Sequence, residues 1–325
     1  MEYPKFKVCC RCFTFNQAKY ITDAMNGFTM QQTSFPFVCA IVDDASTDGE
    51  QEVIRKYVED NFDFSEGSVA FLKETDYAHI TYAQHKTNKN CYFAVLYLKE
   101  NHYSQKKPKM GYLSEWRDIC DYEAMCEGDD YWIVPNKLQM QADLLDSDHM
   151  IGMVRTDADK LIQSNGIVEK AFMSKPPYNK IKDTYIDYLI NMWFNAPLTH
   201  MKRIGADSNV CLKSDYTAGN IPVFLTILKN GYSINYIPEV TSVYRVLEKS
   251  ASHHISLENK YNFLKGIRAI QIDYSQGQPF DIKLRIFLII QIERIKFYLQ
   301  FMLKFMKIFS HDAKNDYKRM FRNRN

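Results

Sequence analysis

Short apolar runs alternate with amphipathic segments in the first sixty residues. Phe6 to Phe13 and Phe37 to Val42 are apolar and β-prone, which predicts two buried strands. Ala18 to Met30 and Glu50 to Asn61 carry apolar residues at helical spacing, which predicts a helix after each strand. Strand, helix, strand, polar loop and helix is the order expected of a parallel α/β sheet. Polar loops in such a sheet lie at the carboxyl ends of the strands, where ligands bind.

The middle of the chain is less regular. Ile80 to Tyr82 and Tyr122 to Cys126 are predicted to be strands, and Tyr92 to Asn101 is predicted to be a helix. Asn136 to Leu145 is predicted to be a further helix, for which Pro135 is a favourable start.

Beyond Asp148 the pattern becomes a mixture of short strands and helices. The predicted helices are Tyr185 to Trp193, Pro222 to Lys229 and Asn259 to Tyr274, and the predicted strands are Tyr232 to Ile237 and Thr241 to Val246 on either side of Pro238. Ile282 to Phe309 is a long helical pattern that charged residues interrupt.

The composition is that of a globular protein. Apolar residues make up 46% and charged residues 25% of the 325 residues, which excludes a mainly disordered chain. The formal net charge is only +2, so the whole molecule is not built to bind a polyanion, and nucleic acid is not an expected partner.

The eight cysteines are scattered through apolar segments and none forms a CxxC pair. We expect Cys9, Cys10 and Cys12 to be buried, reduced strand cysteines, as in a reducing cytoplasm. Met1 to Lys5 has no apolar core of a signal peptide, and no run of about 18 uncharged apolar residues predicts a membrane span. A cytoplasmic location is therefore expected.

Two adjacent carboxylates, Asp43 and Asp44, follow the second predicted strand. Such a pair can accept hydrogen bonds from a nucleobase imide and a ribose hydroxyl. The alternative is local: Asp44 or Ser46 caps the helix that starts at Glu50, and Asp48-Gly49 supplies the turn. The sequence leaves both interpretations open.

A second acidic cluster, Glu127 to Asp130, follows the predicted strand at Tyr122 and precedes Tyr131 and Trp132. Clustered oxygens suit Mg²⁺ or Mn²⁺, which fill their remaining positions with phosphate and water. A Lewis acid of that kind helps to break a sugar–phosphate bond, because charge builds on the departing diphosphate. A solvated acidic turn is the alternative, but the buried strand before the cluster and the aromatics after it favour a site.

These motifs together resemble those of family 2 inverting glycosyltransferases, particularly the bacterial branch that builds surface polysaccharides. The matching segments are Thr14 to Asn16, Val42 to Gly49, Glu127 to Trp132, Pro135 to Gln139, Gly231 to Val240 and Tyr244 to Val246. The resemblance covers roughly residues 5 to 255.

The resemblance implies a Rossmann-like α/β fold of GT-A type, with a central, mostly parallel sheet flanked by helices. It implies Mn²⁺- or Mg²⁺-dependent transfer of a sugar from a nucleotide-diphosphate sugar donor to a glycan or lipid-linked acceptor. Residues 1–255 would form the catalytic domain, with a donor half at about 1–148 and an acceptor half at about 149–255. Residues 256–325 would be a helical, basic, amphipathic extension.

The resemblance also implies residue roles. Thr14 and Phe15 would line the base pocket, and Asp43 would bind the base with Asp44 nearby. Arg245 could neutralise the diphosphate or could equally be a surface charge at a strand end.

The implied ribose and metal ligands lie in the acidic cluster. Asp129 and Asp130 are the acids of the DxD-like motif, and Asp130 is the first choice for the metal. His253, in the pair His253-His254, stands where some relatives place a third metal ligand, although a surface histidine pair is the more common case.

One position departs from the family pattern. Inverting transfer needs a base for the acceptor hydroxyl, and relatives often place an aspartate in a Gly-Asp-x-Pro sequence where this chain has Gly219 to Pro222 with Asn220. Either the base lies elsewhere, at Asp215 or Asp207, or the site is catalytically impaired, or the alignment is out of register. Asn220 could still bind an acceptor hydroxyl or cap a helix. A nucleotide-sugar-binding or scaffold protein on the same fold is therefore the alternative function.

Cations accumulate toward the C-terminus. From Lys283 onward the chain has eleven Lys or Arg against three acids. Cations flank an aromatic surface on a helical net formed by Phe287, Ile290, Arg294, Phe297, Phe301, Lys304 and Phe305. Residues 282–325 could therefore lie on an anionic membrane, at the inner face of the plasma membrane. Packing against the catalytic domain or a second subunit in a homodimer is the equal alternative.

Overall fold

A computed structural model describes residues 3–178, 183–247 and 256–321, with side chains described up to residue 303. The strands are β1 Val8–Thr14, β2 Phe37–Asp43, β3 Phe71–Glu74, β4 Ala78–Gln84, β5 Cys91–Leu98, β6 Tyr122–Met125, β7 Tyr131–Trp132, β8 Ile151–Ile162, β9 Ile167–Glu169, β10 His200–Arg203 and β11 Ser233–Val246. The α-helices are α1 Ile21–Thr29, α2 Glu50–Asn61, α3 Ser114–Arg117, α4 Lys137–Ser147, α5 Tyr185–Asn191, α6 Asn220–Lys229, α7 Leu257–Tyr274 and α8 Phe280–Phe321.

The strands form one mixed sheet in the order β3-β4-β5-β2-β1-β6-β10-β8-β11-β7, with β9 beside β8. Its central strands β5, β2, β1 and β6 are parallel, and so are β8 and β11. Helices α1, α2 and α4 pack on one face of the central strands, and α3 packs on the other. The predicted central parallel sheet flanked by helices is therefore present.

The prediction of a helix at Tyr92 to Asn101 is wrong. This segment forms β5, which pairs in parallel with β2 and antiparallel with β4. All eight residues of β5 are buried, since the strand lies inside the sheet with packed cores on both faces. A strand covered on both faces is apolar at every position, and that pattern cannot be distinguished from a buried helix by periodicity.

The two strands predicted on either side of Pro238 are one strand, β11. Its register against β8 shifts between Ile237 and Val240, and this irregularity contains Pro238. Proline lacks the N–H that the ladder requires, and a bulge is one of the few strand positions that accept it. The long partner strand β8 was not predicted as such.

The C-terminal helices share a core with the helices of the second half of the chain. Ile267 and Ile270 of α7 and Ile286 and Ile290 of α8 are buried among apolar residues of α5 and α6. Among the described residues, no helix is both long and apolar enough to cross a membrane.

Glu123 in β6 forms a buried ionic network that joins three parts of the sheet region. Its carboxylate accepts hydrogen bonds from Arg11 Nε at 3.1 Å and Arg117 Nε at 2.6 Å, and Lys202 Nζ lies 3.6 Å away. Burial alone would raise the pKa of Glu123, but Lys202, Arg11 and Arg117 outweigh burial and lower this pKa to about 2. The carboxylate is therefore charged in the fold, and it compensates cations that come from β1, α3 and β10.

We expect Glu123→Gln to lower the free energy of unfolding at pH 7 by about 3 kcal/mol, because it removes the buried carboxylate that Arg11, Arg117 and Lys202 share and leaves each cation only its second acidic partner. The folded-state pKa is depressed, so the stabilisation is present above the ordinary pKa of 4.5 and is lost as the pH falls toward about 2. Urea unfolding of both proteins at pH 7 and at successively lower pH measures this difference.

The exposed Glu59→Gln is the matched control and should leave the unfolding free energy nearly unchanged. A difference between Glu123→Gln and the native protein that stays constant as the pH falls would contradict the ionic explanation.

Candidate active site

Three polar loops meet at the carboxyl ends of β1, β2 and β6. Thr14 is the register neighbour of Asp43 across β1 and β2, and the main chain of Asp44 donates to Thr14 O at 3.0 Å. On the other side, the main chain of Phe13 donates to Glu127 Oε2 at 3.2 Å. The sheet therefore brings together the loop segments that carry most of the residues predicted to bind the nucleotide.

Glu50, the first residue of α2, joins the loops after β1 and β2. Its buried carboxylate accepts hydrogen bonds from the Thr14 hydroxyl, from the Gln17 main chain at 2.8 Å and from the Ser46 hydroxyl at 2.8 Å. Burial raises the pKa of Glu50, and these donors act against that rise. No sequence pattern distinguishes this residue, because a glutamate in the first turn of a helix is ordinarily solvated.

Asp43 is fully buried at the end of β2. Its Oδ1 accepts a hydrogen bond from the Ser46 main chain at 3.1 Å and one from Gln51 Nε2 at 2.6 Å. Its Oδ2 is buried and has no hydrogen-bond partner among the described residues. An unsatisfied buried carboxylate oxygen is costly, so a hydrogen-bond donor that reached this atom would stabilise it.

Asp44 is occupied by protein groups. Its carboxylate accepts hydrogen bonds from the main chains of His102 and Tyr103 at 2.8 and 3.0 Å, and from Lys109 Nζ at 2.8 Å. Residues 99–109 after β5 contain Lys106, Lys107 and Lys109 and are called the basic loop below. Asp44 therefore holds the basic loop against the end of β2.

The turn before α2 agrees with part of the local interpretation. Gly49 has a φ of 91°, and Asp48 Oδ1 accepts from the main chain of Glu50 at 3.1 Å. Neither Asp44 nor Ser46 caps α2, since their side chains bind the basic loop and Glu50.

The loop from Glu127 to Asp130 after β6, called the acidic loop below, places the carboxylates of Asp129 and Asp130 next to each other. Asp130 is buried and accepts a hydrogen bond from the main chain of Arg245 at 2.8 Å, while Asp129 is half-buried. Burial raises the pKa of Asp130 well above its ordinary value, and the charge of Asp129 adds to this rise. Burial also raises the pKa of Asp129. A cation beside the pair would oppose both shifts.

The acidic loop does not by itself form a complete metal site. No group of three or more His, Cys, Asp or Glu side chains suited to a metal occurs in the part of the chain that the structure describes. His253 lies outside the described residues. Two oxygen ligands still fit Mg²⁺ or Mn²⁺, since these ions accept phosphate and water in their other positions.

Arg245 closes the acidic loop. Its guanidinium donates to Asp129 O at 2.9 Å, to Gln163 Oε1 at 3.2 Å and to Asp23 Oδ2 at 2.7 Å. The side chain is 7% exposed, with Tyr20 and Tyr131 rings 4.5 and 5.1 Å from its central carbon. Arg245 is therefore not a free surface charge. Its described contacts are all with protein groups, and they hold the acidic loop in place.

Gly128 allows the acidic loop to lie against β1. A Cβ at this position would be 2.0 Å from Thr14 Oγ1 and 2.6 Å from Thr14 Cβ. Any side chain at this position would displace Thr14, whose hydroxyl donates to Glu50. Phe15, the next residue along the chain, is 42% exposed at the rim of the same edge.

Residues 195–198 link β7, which directly follows the acidic loop, to the start of α6. Trp132 Nε1 donates to Leu198 O at 3.0 Å, and Asn220 Nδ2 donates to Asn195 O at 3.3 Å. Asn220 is the first residue of α6. Its side chain binds a main-chain carbonyl and does not cap the helix.

The two alternative base candidates lie apart from this link. Asp215 is exposed in the loop before α6. Asp207 forms an ion pair with Lys202 Nζ at 2.7 Å, and Lys202 is the register partner of Glu123 near the start of β6. The acidic loop follows the opposite end of β6.

A buried histidine that the sequence analysis did not select lies beside α6. His200 begins β10, its ring is 4.7 Å from that of Phe224, and its Nε2 has no hydrogen-bond partner among the described residues. Burial lowers the pKa of His200 well below its ordinary value, so the imidazole is neutral. No sequence motif marks this residue.

Comparison with known proteins establishes the fold. No protein-family model matches the chain. Uncharacterized proteins of Mycobacterium bovis and of two strains of Mycobacterium tuberculosis are 27% identical to it over 182 residues. The match covers 54% of this chain but only 41% of each of those proteins.

Two solved structures are similar over most of the chain. Staphylococcus aureus TarS 1-349 in complex with UDP-GlcNAc has a TM-score of 0.51 and 17% identity, covering 84% of this chain and 68% of that one. The mannosyltransferase PcManGT from Pyrobaculum calidifontis, in complex with GDP-Man and Mn²⁺, has a TM-score of 0.53 and 14% identity, covering 87% and 67%. The GT-A-like α/β fold predicted from the sequence is confirmed.

We expect Gly128→Ala to lower the free energy of unfolding by about 1–3 kcal/mol, because the new methyl group overlaps Thr14. Denaturant unfolding checks this value. Gly111→Ala is the matched control, since no atom lies within 4 Å of a Cβ at that position. Equal stability of the two variants would contradict the close approach of Gly128 to β1.

Proposed function

We propose that this chain is a family 2 inverting glycosyltransferase that uses a nucleotide-diphosphate sugar. Its acceptor would be a glycan or lipid-linked glycan in surface polysaccharide synthesis, with residues 1–255 as the catalytic part. One observation carries the proposal: the unpartnered, buried Asp43 Oδ2 lies at the same sheet edge as the paired carboxylates of Asp129 and Asp130. The fold is shared with proteins solved in complex with UDP-GlcNAc and GDP-Man.

Asp43 would recognise the base. Gln51 and the Ser46 main chain hold Oδ1, so only Oδ2 is left to accept a hydrogen bond from an imide N–H. Thr14, the register neighbour of Asp43, and the exposed ring of Phe15 would line the base pocket. Asp44 would contribute indirectly, because its carboxylate holds the basic loop beside the site.

Asp129 and Asp130 would hold the ribose and a divalent cation. Both carboxyl groups have raised pKa values, so a bound Mn²⁺ or Mg²⁺ would favour their charged forms. When bound, the ion would stabilise the negative charge of the departing diphosphate. Arg245 would keep Asp130 in place through its main chain and would orient the loop through its side chain.

An amide stands at the position where relatives often have the aspartate that accepts the proton of the attacking hydroxyl. Asn220 has no basic atom that could take a proton at neutral pH. Its contact with Asn195 O would instead place it to bind an acceptor hydroxyl. A catalytically impaired nucleotide-sugar-binding or scaffold protein is therefore the second candidate, and Asn220 is the observation that favours it.

Calorimetric titration with UDP, GDP, CDP and ADP, with and without Mn²⁺, tests donor binding. We expect tight binding of one nucleotide that depends on Mn²⁺, and Asp130→Asn should remove the gain in affinity that Mn²⁺ gives. Asparagine can still accept the Arg245 N–H, so the loop should keep its position. The exposed Asp60→Asn is the control and should retain the gain. Equal Mn²⁺ dependence in Asp130→Asn would refute the metal assignment.

Turnover separates the two candidate functions. Release of the sugar from its nucleotide, or its transfer to an acceptor, would support the transferase. Nucleotide binding without turnover of any donor would favour the binding or scaffold protein. If the protein binds no nucleotide diphosphate, both candidate functions are wrong.

Asp43→Asn tests base recognition. Gln51 needs an acceptor at Oδ1, so the new amide nitrogen should replace Oδ2 and present a donor to the base. We expect affinity for a base with an imide N–H to fall by about 1.5–3 kcal/mol, which is tenfold or more. Affinity for a base with an acceptor at that position should fall less. The same titrations measure the affinity of this variant for each nucleotide. An unchanged preference among the four nucleotides would contradict the role of Asp43.

A further inference from the structure

Helix α8 has apolar residues on two opposite sides. On the inner side, Ile286 and Ile290 are buried against α5, α6 and α7, and the Phe297 ring lies 4.8 Å from that of Tyr261 in α7. Arg268 of α7 pairs with Glu293 on the same side. The inner side is therefore the one that attaches α8 to the rest of the protein.

The outer side of α8 is apolar and exposed. We define the outer stripe as six residues that are each 43–59% exposed: Leu284, Leu288, Ile292, Ile295, Leu299 and Met302. At 3.6 residues per turn they fall within an arc of about 80°, roughly opposite Ile286 and Ile290. Tyr298, which is 70% exposed, widens the stripe. An exposed apolar surface of this length marks a contact with a partner or a membrane.

Cations border the outer stripe on both edges. By the same helical geometry, Arg285 and Lys296 lie along one edge, and Arg294 lies next to Tyr298 at the other, with Lys283 further round toward the inner side. All four are exposed, and none forms an ion pair within the described part of the chain. Between residues 282 and 303 the acid is Glu293, which faces the inner side and pairs with Arg268.

This charge pattern identifies the partner. A second copy of α8 would bring cationic edges against cationic edges, without the opposite charges that flank a paired-helix seam. An anionic lipid surface supplies the missing negative charge, and the apolar stripe can enter the layer below the headgroups. Exposed aromatic side chains such as Phe287 and Tyr298 suit that boundary.

The length of α8 adds to the surface. Tyr261 lies against Phe297 and Arg268 against Glu293, so α7 and α8 are antiparallel. Because α7 has 18 residues and α8 has 42, the end of α8 extends past the start of α7. From residue 304 onward the sequence adds seven Lys or Arg against two Asp.

We propose that the outer stripe of α8 docks the protein on an anionic membrane surface, with the helix parallel to the bilayer and its inner side attached to the protein. This docking does not depend on sugar transfer. If the proposed function also holds, docking would keep the enzyme on the surface where a lipid-linked acceptor resides.

Flotation of the full chain with vesicles tests the proposal. We expect binding to phosphatidylcholine vesicles that contain phosphatidylglycerol, weaker binding at high salt, and little binding to phosphatidylcholine alone. The double variant Ile292→Glu and Ile295→Glu should lose binding, because it places two acids in the stripe. The double variant Arg294→Ala and Lys296→Ala should bind about fivefold more weakly for each cation removed.

Leu72→Glu is the matched control. Leu72 is 76% exposed on β3, far along the chain from α8, so this variant should bind vesicles as the native protein does. All these side chains are exposed, and circular dichroism should show the same fold for every variant.

Three results would overturn the proposal: no binding to the anionic vesicles, equal binding to neutral vesicles, or a stable dimer that the Ile292→Glu and Ile295→Glu variant dissociates and that binds no vesicles. The third result would assign the stripe to a second copy. Mn²⁺-dependent nucleotide binding, measured on the same preparations, should not change in any of these variants, so the failure of docking and the failure of the proposed function are distinguishable.

Discussion

The buried carboxylate of Glu50 holds together the two loops of the candidate site that follow β1 and β2. It collects hydrogen bonds from Thr14 and Gln17 on the loop after β1 and from Ser46 on the loop after β2. A buried charge is tolerated only when such donors surround it, so the position of each loop depends on the other. Asp43 lies at the end of β2 between these loops, with Oδ1 hydrogen-bonded and Oδ2 buried without a partner among the described residues.

The acidic loop is fixed by contacts that lie far apart in the sequence. Gly128 lets the loop touch Thr14, and Arg245 binds the loop from a strand 115 residues later. These constraints explain why two carboxylates can remain adjacent in a poorly solvated place, where each disfavours the charge of the other. A cation beside these carboxylates, as proposed above, would favour their charged forms. The proposed donor site thus has more of its parts in place than the proposed proton transfer, for which Asn220 offers no base.

The sequence correctly predicted the elements in which apolar and polar residues alternate with a clear periodicity. It gave a wrong prediction where burial on both faces removed that periodicity. The strands β1 and β2 and the helix α2 have the predicted type, since each follows a simple pattern with a turn beside it. The segment at β5 was predicted as a helix, because a strand covered on both faces shows no alternation. Near the site, the order of the acidic motifs marked Asp43 and Asp130, but nothing in the sequence marked Glu50 or His200.

By itself, the sequence determined the α/β class, the acidic loops at the strand ends and the basic character of the C-terminal helix, because these depend on local composition and spacing. Only the tertiary structure decided which carboxylate oxygens are hydrogen-bonded by the protein and which are left without a partner. Asp43 and Asp44 are neighbours of the same type, yet one has an unpartnered oxygen and the other is filled by the basic loop. It also decided that α8 uses one apolar side for packing and leaves the other exposed. Hydrogen-bond partners and burial come from residues distant in the chain, and a local pattern contains no information about them.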